Sequence, residues 1–322
     1  MLAPKLKPGD EIRVIAPSHS IPPAFTDRQR QQALDCLKSL GVSVSFGKYV
    51  NEVNEFETTT VLNRLIDLHE AFADPNVKGV LTATGGSSVS QLLNEIDYAL
   101  VKENPKIVCG LSDITALSYA LYQKTGIVNY YGPHFTMLGE STLVDYSIEY
   151  MQRVLMEEGP VEIKPSNYYN DMPDDIEKVL NTGFWTLNEG TAEGKCIGGN
   201  FLTTNFIIGS EYMPDLSDCI LYFEENYIMD YKDIQNELQS LFNHENMVTI
   251  KGLLLGRFQK GSNVDREKLM HMVKNIRGLE SIPVIGNVDF GHTAPKLTLP
   301  IGGRLSLNAE KNDKVSILII EH

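Results

Sequence analysis

A chain of 322 residues with 42% hydrophobic residues and a formal charge of −14 has an ordinary globular composition and is long enough for two domains. The acidic balance repels polyanions and argues against nucleic acid or an anionic membrane as a main partner. Cys36, Cys109, Cys196 and Cys219 lie far apart in neither a disulfide framework nor a metal-ligand spacing, and no apolar run approaches membrane-spanning length, so a soluble cytoplasmic protein with buried free thiols is expected.

Residues 7–10 form a turn ahead of a first strand at 12–16, which ends in a loop at 17–20. Ala33, Leu34, Leu37 and Leu40 recur at helical spacing and predict a helix over 27–40 closed by Gly41, and 42–46 alternates as a second strand. Leu62, Leu65, Ile66 and Leu68 form the expected buried stripe of a helix over 60–72. A third strand at 79–84 runs into Gly85-Gly86, and 89–96 is expected to be a short helix.

Ile107, Val108 and Cys109 make a short apolar run that Gly110 breaks. From Asp113 the pattern turns helical, with Ile114, Leu117, Ala120 and Leu121 on one face and Gly126 after it. Ser112 therefore sits at the corner between strand and helix, where a nucleophile elbow would lift its hydroxyl clear of the sheet edge. Ile114 stands where the usual motif has its last glycine, and a Ser112 or Asp113 that merely caps the helix would leave the same local sequence. With a further strand at 127–131, strand and helix alternate throughout. That predicts an α/β fold, a parallel sheet covered on both faces with loops 17–20, 84–87 and 110–113 at its carboxyl ends.

After a helix at 146–156, a run rich in Pro, Asn and Asp over 164–175 loosens the pattern. The expected organisation is an N-terminal α/β domain over 1–160, a linker over 161–185 and a smaller β-rich domain over 186–322. The latter would hold strands at 220–223, 251–256, 282–286, 303–307 and 315–320 and a helix at 231–242.

A serine hydroxyl is inert until a base takes its proton, and an imidazole in that role needs a carboxylate to fix its tautomer. Of the seven histidines, His292 lies behind Gly291 in a loop directly after an apolar strand. His134, after Gly132-Pro133 at another strand end, is placed for a substrate contact, and His19 is of the same kind. His69 falls on a helix, and His244, His271 and His322 are expected to face solvent. For the acid, Glu224 follows strand 220–223 directly, with Glu225 as the alternative because successive strand residues face opposite ways. The N–H of Asp113 and one from the Gly85-Gly86 turn would supply the donors for an oxyanion.

Gly85-Gly86, Gly110-Leu-Ser-Asp-Ile-Thr-Ala-Leu117, Tyr131-Gly-Pro133, Gly194-Lys-Cys-Ile-Gly-Gly-Asn200, Ile220-Leu-Tyr-Phe-Glu224, and Gly291-His-Thr293 followed by Leu299-Pro-Ile-Gly302 occur in one order. In that order they resemble the LD-carboxypeptidase family of serine peptidases, from near Lys7 to near the C-terminus. The resemblance implies a nucleophile in the N-terminal domain, acid and base in the C-terminal domain, and a site in the cleft between. Carried over, Ser112 becomes the nucleophile, His292 the base, Glu224 its orienting carboxylate, and Gly86 and Asp113 the oxyanion donors. It further implies a homodimer acting on a small-molecule substrate with no cofactor or metal.

The carboxypeptidase branch of that family reads Arg-Gly-Gly-Tyr-Gly after the third strand, whereas here Thr84-Gly-Gly-Ser-Ser88 resembles the MccF-like branch. Members of that branch cleave the amide between an amino acid and a nucleotide-like group. The missing arginine would have paired with an anionic substrate group. Gly85, Ser87, His134 and Trp185 are the candidates for holding substrate, Trp185 by stacking on a nucleobase or, alternatively, by packing one domain on the other. The expected function is amide hydrolysis through an acyl-enzyme on a peptidyl- or aminoacyl-nucleotide such as processed microcin C. Murein tetrapeptide LD-carboxypeptidase action and a non-catalytic small-ligand binding protein are the alternatives.

Overall fold

In the N-terminal half the apolar periodicities become β1 (Glu11–Ile15), α1 (Asp27–Ser39), β2 (Ser43–Phe46), α2 (Val61–Ala73), β3 (Val77–Thr82), α3 (Tyr98–Glu103), β4 (Ile107–Gly110), α4 (Ile114–Thr125), β5 (Asn129–Tyr131), α5 (Phe135–Glu140) and α6 (Val144–Leu155). The computed structural model describes residues 1–172, 175–244 and 249–322. Strands β1 to β5 are mutually parallel in the order β5-β4-β3-β1-β2, the α/β arrangement expected from the alternation. Every residue of β4 is buried, as a strand covered on both faces must be, which is why it reads as a continuous apolar run. Helix α1 starts where Thr26 caps it: Thr26 Oγ1 accepts from the Gln29 N–H while the Gln29 side chain accepts from the Thr26 N–H.

Three local expectations change. Leu62 is 65% exposed, because α2 turns Leu65, Leu68, Ala71 and Phe72 to the core. Arg64 shares that buried side, and a pattern built on apolar residues alone sets the stripe one step too far round. Residues 89–96 hold a single 3-10 turn at Val89–Leu92 rather than a helix. His322 is buried, with Lys5 Nζ and the carbonyls of Val154 and Gly159 against its ring nitrogens.

The second half runs through β6 (Val161–Ile163), a small hairpin of β7 (Tyr168–Tyr169) and β8 (Val179–Leu180), then β9 (Trp185–Asn188), β10 (Gly190–Asn200), α7 (Phe201–Ile207), β11 (Cys219–Glu224), α8 (Tyr231–Phe242), β12 (Gly252–Gly256), α9 (Arg266–Asn275), β13 (Val284–Val288), β14 (Leu299–Ile301), β15 (Arg304–Glu310) and β16 (Lys314–Glu321). Its sheet runs β6-β16-β15-β10-β11-β12-β13-β9, parallel across β10 to β13 and antiparallel outside them. The stretch expected to connect the domains thus contributes an edge strand at each end of this sheet, β6 and the start of β9. Residues 173 and 174 of that stretch lie outside the described residues.

One strand leaves its neighbours. β14 pairs antiparallel with β5, as the edge of the first sheet. The loop between β13 and β14 is therefore tied to one sheet at its start and to the other at its end, and it is the loop that carries His292. The lobes also meet where the Asn200 N–H, at the end of β10, donates to Thr115 Oγ1 on α4 at 3.0 Å. Between the sheets the ring of Tyr222 packs against Tyr131 and Phe290 at centroid distances of 6.1 and 5.7 Å, joining the two cores. Among the described residues no helix is long and apolar enough to cross a membrane.

Candidate active site

Ser112 occupies the corner between β4 and α4 with φ +65°, in the left-handed region that a residue with a Cβ adopts only under constraint. Asp113 stands at the N-cap of α4, yet its side chain makes no capping bond. Its Oδ2 instead accepts from Ser18 Oγ at 2.5 Å and from the N–H groups of Ser88 and Val89 at 2.8 and 2.9 Å. Loops 17–20, 84–87 and 110–113 do converge, and the His19 N–H donates to the Gly85 carbonyl at 3.0 Å. Gly86 has φ +146°, and a Cβ there would stand 2.3 Å from His19 Cδ2, so only glycine allows the turn to come this close. Among the described residues, the chain itself gives the N–H groups of Gly86 and Asp113 no acceptor.

Across the cleft, β11 ends in two buried carboxylates that face different partners. Glu224 Oε2 accepts from His292 Nδ1 at 2.6 Å, and Oε1 accepts from Tyr131 Oη at 2.6 Å and from Asn200 Nδ2 at 3.2 Å. Glu225 turns the other way, to Asn200 Nδ2 at 2.9 Å, the Leu202 N–H at 3.0 Å and its neighbour Asn226 N–H at 2.8 Å. A Cβ on Gly291 would lie 2.7 Å from Glu224 Oε2, so the glycine before His292 is what lets imidazole and carboxylate meet. The start of the loop, directly after β13, is anchored by Asp289, which holds Arg257 at 2.7 Å and accepts from the Ser166 N–H and hydroxyl at 2.8 Å each.

These contacts set the protonation states. Burial opposes ionisation of Glu224, but the charge of His292 and the hydrogen bonds from His292, Tyr131 and Asn200 outweigh it, and the carboxyl is held below its ordinary range. Glu225 is pushed the other way, first by burial and then by the adjacent Glu224 charge. Burial and Glu224 together raise the Tyr131 phenol well above its usual value, so it remains a donor. An ionised carboxylate can only accept, so Nδ1 of His292 donates to Glu224, which leaves Nε2 as the ring nitrogen free to face the cavity.

A cavity of about 290 Å³ lies between the two sides, lined among others by Ser112, His292, Gly85, Gly86, His134 and His19. His134 is buried, its Nδ1 is 2.8 Å from Thr82 Oγ1, and its Nε2 has no partner among the described residues. Burial, and after it the charges of His292 and Lys296, depress its pKa to about 3, so it is a neutral imidazole. Two predicted substrate contacts lie elsewhere. Ser87 stands outside the lining, its Oγ 3.3 Å from His19 Nε2. Trp185 belongs to edge strand β9, where its Nε1 donates to Thr182 Oγ1 at 3.3 Å, and it too is absent from the lining.

Tyr131 and Asn200 are the site residues that the sequence reading missed as chemistry. Both stood in the ordered motifs, but their roles depend on the ends of β5 and β10 facing Glu224, which local pattern does not report. Among the described residues, no group of three or more His, Cys, Asp or Glu side chains is placed to hold a metal ion.

Residues 12–132 match the LD-carboxypeptidase N-terminal domain and residues 193–307 its C-terminal domain. The chain is 41% identical over 314 residues to YocD of Bacillus subtilis (strain 168), covering 96% of each. An MccF-like protein from Bacillus anthracis str. Ames superposes over 100% of both chains with a TM-score of 0.96 at 41% identity. The microcin C7 self-immunity protein MccF of Escherichia coli is 28% identical over 342 residues, covering 98% of this chain and 95% of that protein. A structure of MccF in complex with glutamyl sulfamoyl guanosine has a TM-score of 0.88 at 26% identity, covering 100% of this chain and 98% of that one.

Proposed function

Because this chain belongs to the LD-carboxypeptidase family, we propose that it is a serine hydrolase in which Ser112, His292 and Glu224 cleave the amide of an aminoacyl-nucleotide-like substrate through an acyl-enzyme. The observation that carries the reading is the 2.6 Å contact between Glu224 and Nδ1 of an imidazole that lines the same cavity as the strained Ser112. His292 Nε2 takes the Ser112 proton as Oγ adds to the substrate carbonyl, and the resulting oxyanion lies against the N–H groups of Gly86 and Asp113. Collapse breaks the C–N bond, and the imidazolium gives its proton to the departing nitrogen. Water, deprotonated by the same Nε2, then releases the acyl group and restores the serine. Glu224 stays ionised throughout and offsets the imidazolium charge. His134 Nε2 and Gly85 contact the substrate. The enzyme works in the cytoplasm and, on the family resemblance, as a homodimer.

The substrate class rests on the cavity, whose lining among the described residues contains no Lys or Arg to pair with a free terminal carboxylate, and on the ligand of the MccF relative. Purified protein would be incubated with glutamyl sulfamoyl guanosine and with a murein tetrapeptide, and products followed by mass spectrometry. Release of glutamate, lost by about 10⁴-fold or more in a folded Ser112→Ala variant, is the expected result. Loss of only a terminal D-alanine from the tetrapeptide would replace this substrate with the murein one. Failure of a fluorophosphonate to label Ser112, with neither substrate cut, would leave a binding protein.

A further inference from the structure

Behind the Gly86 turn lies a buried polar cluster that the proposed reaction does not use. The Asp113 carboxylate gathers Ser18 Oγ and the N–H groups of Ser88 and Val89 on one oxygen. From the opposite side Arg64, 2% exposed on α2, donates through Nη1 to the carbonyls of Pro17 and Ser88 at 3.0 and 2.9 Å and to Ser88 Oγ at 3.1 Å. Its Nη2 donates to Gln91 Oε1 at 2.5 Å. Among the described residues no carboxylate accepts from this guanidinium. Two opposite charges that do not touch thus grip the same two segments, 17–18 and 88–89, from two sides.

Gly86 sits between those grips. A Cβ there would lie 2.4 Å from Ser18 Oγ as well as against His19, so the placement of Ser18 fixes how far the Gly86 N–H reaches toward Ser112. Thr58 Oγ1 donates to the Ser18 carbonyl at 2.5 Å, closing the loop from a third direction. Merely closing a turn does not need this. Backbone bonds or neutral side chains suffice, whereas burying two ions costs several kcal/mol each before their hydrogen bonds offset it. An oxyanion donor, by contrast, must stand within about 2.7–3.1 Å of a charge that exists only during reaction.

We infer that the Asp113 carboxylate and the Arg64 guanidinium are positioning groups that hold the Gly86 N–H in register with the Asp113 N–H, so that turnover rather than substrate affinity depends on them. This rests on the site proposed above. The residue after the nucleophile would then act twice, through its N–H on the intermediate and through its carboxylate on the opposite donor.

Kinetics on the full chain test it with Asp113→Asn, Arg64→Lys and the milder Ser18→Ala, which removes one donor and keeps both charges. The expected result is a kcat lowered by about 10- to 100-fold in the first two and about 3-fold in the third, less than the roughly 10²–10³-fold for losing an oxyanion donor outright, because the donor is displaced and not removed. KM should stay within about 2-fold, and fluorophosphonate labelling of Ser112 should slow in parallel while still reaching the wild-type end point. A lowered end point with an unchanged rate per labelled site would mean lost folded protein and overturn the inference. So would a raised KM at constant kcat, or wild-type kinetics in all three variants. A wild-type protein that neither hydrolyses substrate nor labels at Ser112 would overturn the site reading itself, and this inference with it.

Discussion

On the N-terminal side of the cleft the hydroxyl is aimed by backbone: a left-handed Ser112 between a buried strand and a helix, facing a glycine turn. On the C-terminal side the imidazole is aimed by side chains, through a buried carboxylate whose two oxygens bond to His292, Tyr131 and Asn200. The first arrangement sets the nucleophile by local backbone, while the glycine turn opposite it is held by segments that the buried Asp113 and Arg64 side chains bind. The second spans distant segments and depends on one ionised group staying ionised in a buried place. Tyr131 joins them, because its hydroxyl accepts from the Ser112 N–H at 3.1 Å and donates to Glu224.

The sharpest break of that contrast is Glu224→Gln. The amide keeps the shape and loses the charge that stabilises the imidazolium, so kcat should fall by about 10⁴-fold, measured on whichever substrate the wild type hydrolyses. A loss under about 10-fold would mean that the backbone side alone carries the rate. Tyr131→Phe probes the bridge. It removes one donor from a buried carboxylate and the acceptor of the Ser112 N–H, which should cost about 1–3 kcal/mol of stability in urea unfolding and lower kcat by about 10-fold.

The smallest expected effect distinguishes the two neighbouring glutamates by pH. Glu224 is depressed in the folded state, so its contribution to stability is present above the unfolded carboxyl value of about 4.3 and is lost as pH falls through the folded value. Glu225 is raised, so its contribution declines as pH climbs from about 4.3 through its folded value. Melting temperatures recorded across that range should therefore lose their acid-side fall in Glu224→Gln and their decline at higher pH in Glu225→Gln. Parallel curves for the two variants would contradict the opposed environments.

Much of the first side was legible in sequence because its causes are local. The apolar run at 107–109, the glycine after it and the helical spacing from Ile114 place Ser112 on a corner with no knowledge of the rest of the chain. Leu62 shows where the same reasoning slips: the buried face of α2 includes a charged residue, and no apolar pattern can register an arginine that is buried to bind loops. Trp185 shows the other limit. The family resemblance offered it for stacking on a nucleobase or for packing between domains, and strand pairing with β13, which no local pattern reports, sets it at the sheet edge outside the cavity lining.

Apolar periodicity and glycine breaks, which depend on residues a few positions apart, determined by themselves that strands and helices alternate, that Ser112 stands at a strand-to-helix corner and that Glu224 lies at the end of an apolar strand. Folding alone decided which glutamate meets His292, since the choice lies in partners 68 and 93 positions away, and in Asn200 drawing Glu225 aside. It also decided that β14 crosses to the first sheet and stretches the His292 loop over the cleft. Such pairings are fixed by burial and hydrogen-bond satisfaction across the whole chain, quantities that no window of sequence contains.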